Sequence, residues 1–88
     1  MKHQMNNGKK NELVNTEELE HSLRAALERR QGAALKAALH GQHPANIGDV
    51  LERLNVAQRR RVFNALDLPR QAEVLAELAP NLVRDVAA

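Results

Sequence analysis

The sequence predicts an all-α fold, a solenoid of short stacked helices, on three observations. The apolar side chains are almost all Leu, Ala and Val, with Phe63 the single aromatic, a composition that favours close helix packing over sheet. From Val50 onward, apolar residues recur every twelve positions without a break in register. Prolines or cap-forming residues fall between the recurring stripes, where helices would begin.

The elements follow in order. Residues 1–15 are rich in Lys, Asn and Gln with Gly8 among them, and hold too little apolar surface to repay the entropy of ordering. They are expected to be a flexible lead-in, with the helical-repeat domain occupying residues 16–88. The first helix is expected to start where Asn15 or Thr16 can cap backbone N–H groups, with Glu17, Glu18 and Glu20 favourably placed at the positive end of the dipole. Leu19, Leu23, Ala26 and Leu27 then share one face. Arg29 and Arg30 suit its C-terminal end, and Gly32 is expected to break it. A short second helix is predicted over Ala33 to Leu39, with Leu35, Ala38 and Leu39 inward and Gly41 closing it.

The repeat begins at His43. Val50, Val62, Val74 and Val86 form one column, Leu51, Phe63, Leu75 and Ala87 the next, and Leu54, Leu66 and Leu78 a third, eleven positions in one register. Each unit therefore carries apolar groups at i, i+1 and i+4, a single stripe on a helix of two to three turns. Pro44, Pro69 and Pro80 suit the first turn of a helix, and Asn55 with Gln58 resembles a capping box that opens the unit lacking a proline. Helices this short do not persist alone, because nucleation is costly and few hydrogen bonds follow it, so they must stack.

Several function classes are excluded. The formal charge of +2 lies in the lead-in, where Lys2, Lys9 and Lys10 face only Glu12, and from Thr16 onward acids and bases balance. With neither Tyr nor Trp to stack bases, nucleic acid is not an expected partner. The absence of Cys removes disulfides, thiolate zinc sites and a Cys nucleophile. No run of about 20 apolar residues is present, so this stretch is not expected to insert into a bilayer.

The stretch from His43 to Leu78, HPANIGDVLERLNVAQRRRVFNALDLPRQAEVLAEL, resembles the cytoplasmic N-terminal domain of MgtE-type magnesium transporters. His43-Pro44-Ala45-Asn46-Ile47 and Val50-Leu51-Glu52-Arg53-Leu54 match its opening, and Ala72 to Leu78 a later unit. The resemblance implies a right-handed superhelix lying beneath CBS modules, on the cytoplasmic side of the bacterial inner membrane. Magnesium held between acidic faces of the domain and those modules would favour a closed pore. It implies as partners the CBS modules and membrane domain of the same parent protein, with a homodimer formed through that parent. Asn46 stands where that family often has Asp, and Gly48 where it often has Ala. The family domain usually continues through further helices, so truncation at the C-terminus is expected here. A second resemblance, to the middle domain of the FliG family of the flagellar motor switch, implies a protein-binding scaffold instead.

Candidate residues are few. Asp49 and Glu52 lie three apart on one predicted helix and Glu73 and Glu77 four apart on another, so each pair can offer adjacent carboxylates to a hydrated Mg2+, or be solvated surface. Asp85 is a further acid of the same standing. His40 and His43 flank Gly41 without a third ligand, and a cap or loop role is expected of them. Arg59, Arg60 and Arg61 fan across roughly 200° of a helix and do not make one binding face. They are expected to be solvated, to pair with Glu52 or Glu73, or to meet an acidic partner surface. Phe63 takes a core position. Ser22 has only His21 beside it, pointing elsewhere, and no nucleophile–base pair or phosphate loop is present, so catalysis is not expected.

Overall fold

A computed structural model describes the backbone of residues 8–87 and the side chains of residues 16–87. Within that span the chain forms α1 (Gly8–Arg29), α2 (Gly32–Leu39), α3 (Pro44–Arg53), α4 (Val56–Asn64), α5 (Leu68–Leu75) and α6 (Pro80–Ala87), with no strand among the described residues. Residues 1–7 of the expected lead-in lie outside the described residues.

Helix α1 begins well before the Asn15 and Thr16 cap that the sequence suggests. Once a helix is nucleated, each added residue gains a hydrogen bond, and Lys9, Lys10, Glu12 and Leu13 are good helix formers. Thr16 is buried, not a cap, and its hydroxyl donates to Asn46 Oδ1 on α3 at 3.4 Å. Leu19, Leu23, Ala26 and Leu27 are all buried, as their spacing predicts. The break after α1 falls at Arg30, which takes the left-handed conformation at φ +57° while its N–H bonds back to Ala26 O and Leu27 O. Gly32 instead opens α2, and the turn after α2 uses Gly41 at φ +74°.

The four repeat helices begin at residues 44, 56, 68 and 80, twelve apart. Val50, Val62 and Val74 are fully buried and Val86 is 8% exposed, so the valine column faces inward throughout. Leu51, Phe63, Leu54 and Leu66 are buried as well, whereas Leu75 and Leu78 are half-buried and Ala87 is exposed. Burying one such aliphatic side chain contributes about 1.5–3 kcal/mol, so the columns supply most of what holds these helices together. Alternate helices stack: α3 packs on α5 and α4 on α6, while α1 packs on α2 and α3. Gly48 lies at this contact, where an added Cβ would stand 3.4 Å from the Cβ of Glu77.

The residue before each repeat helix forms a further column. His43 Nδ1 accepts the Ala45 N–H at 3.1 Å, Asn55 Oδ1 accepts the Gln58 N–H at 2.8 Å, and Asp67 Oδ1 accepts the Arg70 N–H at 3.0 Å. Gln58 Oε1 in return accepts the Asn55 N–H at 3.0 Å, completing the predicted capping box. Pro44 and Pro80 are the first residues of their helices, and Pro69 is the second residue of α5, with Asp67 as the extended residue before it. The fourth member of the column, Ala79, has no side-chain acceptor to offer.

Candidate functional site

Helices of eight to ten residues leave a large share of their carbonyls without an intrahelical partner. Long polar side chains from neighbouring helices meet that need. Arg59 Nε donates to Leu51 O at 2.7 Å and its Nη2 reaches Glu52 O at 3.4 Å, both at the end of α3. Arg60 Nε donates to Asp85 O on α6 at 2.7 Å, and Arg61 Nη1 to Leu27 O near the end of α1 at 3.1 Å. The three consecutive arginines thus serve three different helices, in keeping with their angular spread. The expected partners change, however. Arg59 pairs with Asp85 at 2.8 Å, while Glu52 contributes only its backbone carbonyl and Glu73 pairs elsewhere. Gln71 Nε2 donates to Phe63 O and Leu66 O, closing the end of α4, and Arg70 donates to Gln42 O before α3.

A second network joins α1 to α3. Glu20 accepts from Arg24 Nε at 2.9 Å and from Arg53 Nη1 at 3.0 Å, and Arg24 Nη2 donates to Arg53 O at 3.0 Å. The hydrogen bonds from Arg53 and then Arg24 hold the Glu20 carboxyl below the usual carboxylate range, against a smaller opposing effect of burial. The same bond to Glu20 raises Arg53 above its ordinary value, with Asp49 and Glu17 adding to the negative field around it.

Of the carboxylates considered for a cation, Asp49 and Glu52 are exposed on α3, and Glu73 is exposed on α5. Glu77 is exposed in the turn after α5, its Cβ against Gly48 of α3. The packing of α3 on α5 brings the two pairs onto neighbouring elements. Glu73 has Arg70 at 3.4 Å, whereas Asp49, Glu52 and Glu77 make no side-chain hydrogen bond among the described residues. No three His, Asp or Glu side chains converge among the described residues, so a cation here would have to complete its shell with water or a facing surface. His43 is the cap of α3 and His40 follows the last residue of α2, the boundary roles expected of them. Ser22 and His21 are both exposed on α1. Phe63 is 5% exposed within the core.

The family model described as the MgtE intracellular N domain matches residues 42–88. The chain belongs to this family. The match covers all four repeat helices of this MgtE N domain and starts beside the cap of α3, so α1 and α2 lie outside the matched residues. Searches of curated proteins and of solved structures gave no match. The MgtE assignment places the domain in a family of transporter parts, not of enzymes, and implies a membrane protein as its parent. Among the described residues, no helix is long and apolar enough to cross a membrane. Sequence reasoning missed Asp67 as a cap, Asp85 as the partner of Arg59, and Gln71 and Arg70 as fasteners. Asp67 had a readable signal, since it stands twelve residues beyond Asn55.

Proposed function

We infer that this domain regulates a magnesium transporter, coupling intracellular Mg2+ to closure of the pore through contacts with CBS modules of the same parent protein. The observation that carries this reading is the family match over residues 42–88. The exposed carboxylates support it. The carboxylates of Asp49, Glu52 and Glu77 make no hydrogen bond among the described residues, and that of Glu73 holds only a long contact to Arg70. Mg2+ commonly keeps several waters and takes one or two protein carboxylates, a requirement these pairs can meet when a second acidic surface faces them. A cation shared by two such surfaces offsets their repulsion, and so favours the docked state by the ratio of its affinities for docked and undocked forms. The reading extends to a right-handed superhelix, for which the stacking of alternate helices is the support, and to a dimer held through the parent at the bacterial inner membrane.

Amide NMR during a Mg2+ titration tests it. Saturable shifts at Asp49, Glu52, Glu73 and Glu77 in the millimolar range are expected, larger when the CBS modules are present. An absence of any shift in both cases removes these residues from magnesium sensing.

A further inference from the structure

One cleft is left unexplained by magnesium-dependent closure. It lies at the C-terminal end of α1, has a volume of about 330 Å3, and is lined by Arg24, Leu27, Glu28, Arg30, Gln58 and Arg61. Three arginines and one glutamate thus line it, in a chain whose charges balance from Thr16 onward. A single cation suffices to complement the C-terminal end of a helix dipole. Here Arg61 meets that need by donating to Leu27 O.

The donors that remain are many. Arg24 spends Nε on Glu20 and Nη2 on Arg53 O, and Arg61 spends only Nη1. The guanidinium of Arg30 makes no hydrogen bond among the described residues. Gln58 gives its Oε1 to the Asn55 N–H, which leaves its NH2 to donate. In the wider cleft beside His40, by contrast, Arg70 is already bonded to Gln42 O and Glu73.

A second observation is independent of the cleft. Arg30 holds φ +57°, a conformation that glycine adopts freely and a residue with a Cβ adopts at a cost. Glycine stands two positions later, at Gly32, where the backbone does not use a positive φ. The chain thus bears backbone strain at an arginine that lines the cleft, and such strain is a recurrent mark of a functional position.

We propose that this cleft binds a phosphate-class oxyanion, with Arg30 and Arg61 as its main donors, Arg24 and Gln58 beside them, and Leu27 as an apolar wall. A carboxylate is satisfied by one guanidinium fork. Forks arriving from α1, from the turn after it and from α4 suit a tetrahedral anion with several acceptor oxygens.

The test is an NMR titration of the chain with inorganic phosphate, and separately with AMP, at low and constant ionic strength. Saturable shifts are expected for the amides of residues 27–31 and for the Nε–H groups of Arg30 and Arg61. Arg30→Gly relieves the positive φ and so keeps or raises the melting temperature, yet should weaken binding about tenfold or more, the usual worth of a hydrogen-bonded charged donor. Arg30→Ala should weaken it similarly. AMP shifts that spread to Gln58 identify an organic phosphate monoester as the preferred source, and equal or weaker AMP binding identifies the free anion. Shifts that fail to saturate, that chloride reproduces at matched ionic strength, or that persist unchanged in Arg30→Gly overturn the proposal.

Discussion

Arg59→Met removes a guanidinium while keeping most of the aliphatic stem that packs beneath it, so the loss can be worked from individual bonds. The side chain is 15% exposed and its partner Asp85 is 31% exposed. The bond from Nε to Leu51 O, at 2.7 Å, is well formed, and a net worth of about 1.5–3 kcal/mol is usual for a charged donor. Its loss falls at the lower end, because Leu51 O keeps the Leu54 N–H at 3.2 Å. The partly hydrated pair with Asp85 adds about 0.5–1 kcal/mol, and the 3.4 Å reach to Glu52 O adds little. The expected cost is therefore about 2–3 kcal/mol, which for a domain of this size lowers Tm by roughly 10–20 °C. Asp85→Asn, which removes only the charge of the partner, should cost about 0.5–1 kcal/mol and lose even that at high salt. Urea unfolding followed by far-UV circular dichroism measures both. Equal costs for the two variants would refute the reasoning, since the carbonyl of α3 would then contribute nothing.

Three further outcomes are expected. Ala79→Asp supplies the missing member of the cap column and should stabilise the domain by about 0.5–2 kcal/mol, read as a rise in urea midpoint at unchanged slope. Gly48→Ala should also stabilise, by roughly 0.5–1 kcal/mol, because helix propensity improves while the new methyl meets Glu77 Cβ at 3.4 Å, an ordinary contact; a loss would show that α3 and α5 cannot yield there. The folded-state pKa of Glu20 is lowered from its ordinary 4.5, so its contribution is present in full above that pH and fades as pH falls through the folded value. The stability gap between the native chain and Glu20→Gln should therefore narrow below about pH 4.5, and a gap independent of pH would contradict the assigned bonds.

Much of the architecture could be read directly because it depends on local pattern. The leucine stripe of α1, the cap at His43 and the box at Asn55 and Gln58 are set by residues within a few positions of one another, and the valine column by a fixed twelve-residue step. The start of α1 was not legible in this way. A threonine that looks like a cap is instead drawn inward by α3, and only tertiary structure supplies that partner. The break after α1 misled for a related reason: Gly32 advertises a turn, but the left-handed residue is Arg30. The arginine contacts were the least legible, since each ends on a carbonyl of another helix, and nothing in a run of three arginines names which helix. For the acidic pairs, spacing correctly put Asp49 and Glu52 on one helix, but α5 ends at Leu75 and leaves Glu77 in the following turn, and its approach to Gly48 depended on how α3 and α5 meet.

The twelve-residue rhythm, joined to contacts that skip one helix, sets a rule for how such a chain can change length. Deleting a block of twelve would bring helices that belong on opposite sides of the stack into the same place, and strand the arginines opposite the wrong ends. Deleting or duplicating twenty-four would leave each survivor facing a neighbour of its former kind. Lineages of this domain should accordingly differ by pairs of helices, and an engineered version can be lengthened in the same step.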